Sequence, residues 1–122
     1  LDGGAGADTY LYAAGTQIAD SGADGARDVV RTAIDLLPLF DGVEDLVLLG
    51  TLRFGFGNAG DNRITGNAAD NVMDGGDGAD TLDGGTGNDV LIGGAGRDAF
   101  IVNSRYDTVV DVRVGGPPIF DD

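Results

Sequence analysis

Large apolar residues recur at every ninth position through the second half of the chain, at Ile64, Met73, Leu82, Leu91, Phe100 and Val109. Each stands in the middle of a triplet, and this alternation is typical of a very short β-strand whose middle side chain points inward. The six residues between successive triplets are rich in Gly, Asp and Asn, which favour turns. We therefore predict three-residue strands separated by six-residue turns.

The same spacing defines a repeat of nine residues. Five consecutive blocks cover residues 57–101 and read GNAGDNRIT, GNAADNVMD, GGDGADTLD, GGTGNDVLI and GGAGRDAFI. A degenerate sixth block, VNSRYDTVV, follows, and a further copy, GGAGADTYL, begins at Gly3. Ordinary β-hairpins do not require a fixed spacing, whereas two blocks with one strand on each side complete an 18-residue coil. The predicted fold is all-β, a right-handed parallel β-roll or β-solenoid with glycine-rich turns.

Residues 13–54 lack the repeat but have an apolar pattern of their own. Val30, Thr32, Ile34 and Leu36 alternate with Arg31 and Asp35, and Pro38 with the pair Asp41 and Gly42 marks a turn. We predict two or three longer strands here, which enlarge the solenoid coils. A helix over 28–40 is the main alternative, and a proline and many β-branched residues disfavour it.

These patterns divide the chain into four segments. Residues 1–12 end a preceding glycine block, 13–54 form β-rich spacer coils, 55–110 form the roll, and 111–122 begin a further spacer. The stretch from Gly3 resembles the stretch from Gly93, with Tyr10 matching Phe100 and Ile18 falling near Val109. We expect the chain to be a fragment, or the ordered part, of a longer tandem array.

The charge composition indicates a cation site. The chain has 21 acidic residues against 7 basic ones and a net charge of −14, and Glu44 is its single glutamate. A merely solvated acidic surface would use Asp and Glu alike. Asp is favoured where a short side chain must hold an oxygen at a fixed distance from a turn. Calcium is the leading candidate, because it takes six to eight oxygen ligands, including carboxylates and backbone carbonyls.

Stacked coils would place the sixth residue of each block over the sixth residue two blocks later. Two ladders follow, one of Asn62, Asp80 and Asp98 and the other of Asn71, Asp89 and Asp107. Each adjacent pair would hold one ion. The pairs Asp80 with Asp98 and Asp89 with Asp107 should bind best, and the pairs that include Asn62 or Asn71 carry one charge fewer.

The remaining predicted ligands come from the turns and from the first copy of the repeat. Asp8 holds the sixth position of the copy at Gly3, and backbone carbonyls are expected from Gly75, Asp77, Gly84, Thr86, Gly94 and Gly96. We expect about 2–4 calcium ions in this segment.

Several classes of function are excluded by composition. Without His or Cys, the usual zinc sites, Ser-His-Asp triads, cysteine nucleophiles and disulfides are absent. A pI near 4.1 without Lys gives no positive footprint for nucleic acid. No apolar run reaches the length of a membrane span. We predict that the segment is not an enzyme, although its parent protein could carry a separate catalytic domain.

The blocks over 75–101, and the copy at Gly3, match G-G-x-G-x-D-x-U-x at every specified position, where U is a large apolar residue. The chain therefore resembles the RTX, or hemolysin-type calcium-binding, family. The resemblance implies an extracellular β-roll in a bacterial protein exported by type I secretion, with calcium in both rows of turns. The first two blocks depart from the motif at Asn58, Asn62, Asn67, Asn71 and Ala69, which indicates a tapering start to the roll.

Three classes of function stay open at this point. The segment is a calcium-triggered folding and secretion module of a larger protein, a structural array in a surface-layer protein or adhesin, or an enzyme built on acidic pairs. Expected partners are calcium and neighbouring repeats. The apolar residues Ile92, Ile101 and Val110 are expected to face outward, so a second copy of the chain or another surface protein is a further expected partner. The alternative is that these residues serve only strand propensity.

Overall fold

The computed structural model describes residues 4–12, 26–34 and 42–111, and these ranges form a solenoid of short parallel strands. The strands are β1 (Thr9–Tyr12), β2 (Val29–Thr32), β3 (Asp45–Leu48), β4 (Phe54–Phe56), β5 (Arg63–Thr65), β6 (Val72–Asp74), β7 (Thr81–Asp83), β8 (Val90–Gly94), β9 (Ala99–Ile101) and β10 (Thr108–Asp111). No helix occurs in these ranges, so no membrane-spanning helix is found among them.

The strands form two parallel sheets. One has six strands in the order β1-β2-β3-β5-β7-β9, and the other has four in the order β10-β8-β6-β4. Consecutive blocks alternate between the sheets, so β5 pairs with β7 and β6 pairs with β8, each in the 18-residue register. The predicted all-β parallel roll is confirmed.

The core is built mainly from one inward row of each sheet, with Val43 and Leu48 added beside these rows. Tyr10, Val30, Leu46, Ile64, Leu82 and Phe100 are register partners in the larger sheet, and Met73, Leu91 and Val109 are partners in the smaller one. Ile64, Met73, Leu82 and Leu91 are completely buried. The ninefold apolar pattern therefore predicted the inward residues correctly.

The smaller sheet begins with a glycine in the inward row because a longer strand fills its space. Gly55 is the register partner of Met73. A Cβ at Gly55 would lie 3.3 Å from both terminal methyl groups of Leu48 and 3.2 Å from Ile64 Cγ2. Leu48 is the second inward side chain of β3, so a four-residue strand supplies apolar volume that a triplet lacks.

The spacer strands continue the six-stranded sheet. β2 and β3 are four residues long, against three in most blocks, and β2 begins in the stretch 28–40 for which a helix was the alternative. The predicted alternation is wrong at Ile34, which is 38% exposed. The cause is the Thr32 side chain, which donates from Oγ1 to Ile34 O at 2.7 Å and accepts from Ile34 N at 3.1 Å, turning the chain. Ile18, Asp35, Leu36, Pro38, Asp41 and 112–122 lie outside the described residues.

Candidate metal centre

One column of polar side chains runs along an edge of the six-stranded sheet, directly before each strand. Its members are Asp8, Asp28, Glu44, Asn62, Asp80 and Asp98. In four of the five steps along the column, the backbone N–H of one member donates to the carboxylate of the next, at 2.7 Å from Asp8 to Asp28, 2.7 Å from Asp28 to Glu44, 2.7 Å from Asn62 to Asp80 and 2.9 Å from Asp80 to Asp98. The predicted ladder of Asn62, Asp80 and Asp98 is the second half of this column.

A second column precedes the strands of the smaller sheet. Asn71 N donates to Asp89 Oδ1 at 2.7 Å, and Asp89 N donates to Asp107 Oδ1 at 2.8 Å. The structure thus brings the second predicted ladder together in the expected order. In both columns the Asp side chain packs against its own turn and also accepts a hydrogen bond from the neighbouring coil.

The second oxygen of the central carboxylates has no hydrogen-bond donor. Asp80 and Asp89 are each 1% exposed, and their Oδ2 atoms are buried without a hydrogen bond, as is Oδ2 of Asp8. Among the described residues the one salt bridge joins Arg27 to Asp45, so no arginine neutralises Asp80 or Asp89. A buried, unneutralised carboxylate is strongly destabilising unless a cation compensates it.

The pKa shifts in the turns also indicate that these carboxylates lack a compensating positive charge. The pKa of Asp80 is raised to about 6: burial is the main cause, the hydrogen bond from Asn62 N opposes it, and the charge of Asp98 adds to the rise. Burial also raises the pKa of Asp89, with a further contribution from Asp107. Negative charge is therefore costly at both positions without a counter-ion.

In the blocks that begin at Gly75, Gly84 and Gly93, the first glycine makes room for the carboxylate. A Cβ on Gly75 would overlap Asp80 Oδ2, and a Cβ on Gly84 would overlap Asp89 Oδ2. In the described residues no three acidic side chains converge on one point. A cation here would be held by one or two carboxylates of a column, with backbone carbonyls completing the shell. Calcium accepts this mixed oxygen set, and its irregular coordination fits the turns.

The predicted carbonyl ligands lie in the same turns. Gly75 and Gly84 are buried beside the carboxylates of their blocks, and Gly94 and Gly96 have φ of 88° and 132°. Asp77 pairs with Ala95 of the next coil in an isolated parallel bridge. Thr86 lies exposed in the turn that precedes Asp89.

Asp28 and Glu44 are column members that the nine-residue pattern does not reveal. Each directly precedes a spacer strand and stands two residues before a buried apolar residue, Val30 or Leu46. Asp80 has the same relation to Leu82. An acidic residue two positions before an inward side chain was therefore a usable signal, and it does not depend on the glycines.

The RTX calcium-binding nonapeptide repeat, in four copies, matches residues 1–16, 55–82 and 74–109, together more than half of the chain. No curated protein and no solved structure matches this chain. Repeats of this family imply calcium binding and typically occur in secreted bacterial proteins. The matched ranges contain the unneutralised carboxylates of Asp8, Asp80 and Asp89. With its parallel β-roll and these columns, the chain belongs to the RTX calcium-binding repeat family.

Proposed function

We propose that this segment is a calcium-dependent folding module of a larger bacterial protein. In this proposal the parent chain is exported by type I secretion in a loosely folded state and folds outside the cell, where calcium is abundant. Calcium held by the carboxylates of a column converts binding energy into folding energy, as in other metal-coupled domains.

The buried Oδ2 atoms of Asp80 and Asp89 carry the proposal. Each lacks a hydrogen bond and an arginine partner, so the ion-free fold contains uncompensated buried charge. The net charge of −14 adds general repulsion, and the inward rows form only a thin core. Calcium would remove the largest of these costs at the positions where they arise.

A calcium titration followed by far-ultraviolet circular dichroism tests this function, with magnesium as the control. We expect calcium to produce β structure, while magnesium does not, because magnesium requires a small octahedral shell and gives up water reluctantly. A fully folded spectrum in excess chelator, unchanged by calcium, would refute the proposal.

A structural array in a surface-layer protein or adhesin is the second candidate. It is favoured by the position of β1, which comes from a separate glycine block yet pairs with the spacer strand β2 in the same sheet as β9. A spacer can thus join two glycine blocks in one continuous solenoid. Sequence beyond the two ends discriminates the candidates, because many further repeats favour the array and a single catalytic domain favours the module.

We further propose that the segment has no catalytic site of its own. The Oδ1 atoms of Asp80 and Asp89 accept hydrogen bonds between coils, their Oδ2 atoms are assigned to calcium in this proposal, and neither His nor Cys occurs in the chain. Incubation with glycoside substrates should give no turnover with or without calcium.

A further inference from the structure

The second residue of each block separates two kinds of turn. Gly76, Gly85 and Gly94 hold this position in the turns 75–80, 84–89 and 93–98, with φ of 90°, 79° and 88°. We call these the open turns. Asn58, Asn67 and Asn103 hold it in the turns 57–62, 66–71 and 102–107, and no non-glycine residue among those described has positive φ. We call these the closed turns.

In two of the open turns, those that begin at Gly75 and Gly84, the N–H of position two is directed away from the column. Gly76 N donates to Asp74 Oδ1 at 3.1 Å, and Gly85 N donates to Asp83 Oδ1 at 3.0 Å. Both acceptors belong to the strand that precedes the turn. The buried Oδ2 atoms of Asp80 and Asp89 consequently receive no hydrogen from their own turns.

In the closed turns the same N–H donates to the side chain at position six. The distances are 2.8 Å from Asn58 N to Asn62 Oδ1, 3.1 Å from Asn67 N to Asn71 Oδ1 and 3.1 Å from Asn103 N to Asp107 Oδ2. Asp107 is the decisive case because it is a carboxylate like Asp89. Its Oδ2 also accepts from Ser104 N at 3.0 Å, so both of its oxygens are satisfied by backbone N–H groups.

The amide groups of the first two closed turns also satisfy nearby carbonyl groups. Asn62 Nδ2 donates to Glu44 O at 3.1 Å, and Asn71 Nδ2 donates to Leu52 O at 2.9 Å. Asn58 and Asn67 add bonds of 2.8 Å and 2.7 Å to carbonyls of the preceding coil. In these turns the side-chain NH₂ groups thus donate to backbone carbonyl oxygens, which are the kind of oxygen that calcium would bind.

We propose that position two selects between a calcium-binding turn and a turn closed by hydrogen bonds. Glycine there leaves the position-six carboxylate in need of a cation, and asparagine supplies hydrogens in its place. Within residues 55–110, calcium is then confined to the three open turns, while Gly4 and Asp8 show the same combination in the first copy of the repeat. The closed turns lie on both sides of them, and Asn62, Asn71 and Asp107 are not calcium ligands. This inference rests on the proposed calcium-binding function.

Asp107 and Asp89 provide a matched test, since they occupy the same position one coil apart in one column. Bound calcium per chain is counted by equilibrium dialysis and metal analysis for the 122-residue chain, Asp107→Asn and Asp89→Asn. We expect Asp107→Asn to keep the wild-type count and Asp89→Asn to lose at least one ion. Loss of an ion in Asp107→Asn, or an unchanged count in Asp89→Asn, would overturn the selection rule. A wild-type count of zero would instead refute the calcium-binding function itself.

A set of variants in the first closed turn tests position two directly. Asn62→Asp alone should add no ion, because Asn58 N still donates to the new carboxylate. Asn58→Gly alone should add none, because no carboxylate is present. The double variant should bind one ion more than wild type. An extra ion in Asn62→Asp alone, or none in a double variant with the wild-type β spectrum, would contradict the rule. If the double variant fails to fold, the comparison of Asp107→Asn with Asp89→Asn decides.

Discussion

The position-one glycines are fixed by contact with a carboxylate of their own block. Gly75 and Gly84 have ordinary φ, yet a Cβ on either would overlap the Oδ2 atom at position six. Gly76 and Gly78 are required for a different reason, since their φ values of 90° and 102° favour glycine. Adjacent glycines of one motif are therefore required for different reasons, the first for space beside a carboxylate and the second for its positive φ.

Gly75→Ala should weaken calcium binding by displacing the Asp80 carboxylate. Overpacking of this kind costs about 1–3 kcal/mol, so we expect the calcium midpoint to rise about tenfold. Gly60→Ala is the control, because Gly60 lacks positive φ and its nearest neighbour, Asn58 Oδ1, is 3.2 Å from the added Cβ. The two midpoints are read from calcium titrations by circular dichroism. Equal shifts would show that the space beside Gly75 for the Asp80 carboxylate is unimportant for calcium binding.

The raised pKa of Asp80 predicts the pH dependence of the ion-free chain. Because the folded carboxyl has a pKa of about 6, above the ordinary value of Asp, the folded state binds more protons than the unfolded state between about pH 4 and 6. The stability of the ion-free fold should rise as pH falls from 7 to 5. Calcium binding must displace the proton, so calcium affinity should fall over the same window.

The β content of the metal-free chain, read from far-ultraviolet circular dichroism at pH 7 and pH 5, measures this effect. Asp80→Asn removes the titrating group and should reduce the difference between the two pH values. It should not abolish the difference, because the pKa of Asp89 is also raised. An identical pH dependence in wild type and Asp80→Asn would argue against a buried, unneutralised Asp80.

At the scale of the strand, each triplet has one inward residue, and an inner strand pairs with the strands of both adjacent coils. β10 ends the smaller sheet and β9 ends the larger one within the described residues. Val110 on β10 is the register partner of Ile92 on β8, and Ile101 faces outward from the other sheet. Val110 and Ile101 are each 39% exposed. An unpaired strand edge beside exposed apolar residues favours further strand pairing.

Replacing Ile92 and Val110 by Thr should therefore weaken self-association of the calcium-loaded chain. Thr keeps the β-branched shape and strand propensity, so the change isolates the apolar surface. Tyr106→Thr is the control, since Tyr106 is 61% exposed but lies in a turn. Sedimentation velocity over a concentration series measures association. Wild-type association in the double variant would leave strand propensity as the reason for these residues.

The register of the roll follows from sequence because the ninefold spacing fixes both the inward row and the columns. Position six is offset by two residues from Leu82 or Leu91, so the apolar and polar ladders determine one another. The closed turns could not be predicted this way. In the sequence, Asn62 and Asp80 look like a weak and a strong version of one ligand until the N–H of position two is placed. The end of β2 in the spacer is even harder to predict from the sequence. Thr32 ends this strand through hydrogen bonds of its side chain with the backbone of Ile34, and the alternation of apolar and polar residues gives no sign of them.

For the whole molecule, the account makes calcium part of the folding equilibrium. The chain has a net charge of −14, and its buried carboxylates are concentrated in the columns between coils. Surface repulsion is spread over the chain and is screened by salt, whereas the buried charges need a bound ion. A specific calcium requirement should therefore persist at high ionic strength.

Replacing the three open-turn carboxylates should separate calcium binding from the fold. Asp80→Asn, Asp89→Asn and Asp98→Asn combined remove buried charge while keeping the side-chain shape. The triple variant should be more stable than wild type without calcium and should gain little from calcium. Asp70→Asn, Asp74→Asn and Asp83→Asn combined form the charge-matched control, because these carboxylates also accept backbone N–H bonds but lie outside the columns.

The most direct measurement is the free energy of unfolding with calcium and with chelator, determined in parallel for wild type and both triple variants. We predict a large stabilisation by calcium in wild type and in the charge-matched control, and almost none in the variant of Asp80, Asp89 and Asp98. If wild type unfolds at the same denaturant concentration with and without calcium, or if that variant retains the full stabilisation, calcium held by the open turns does not drive folding.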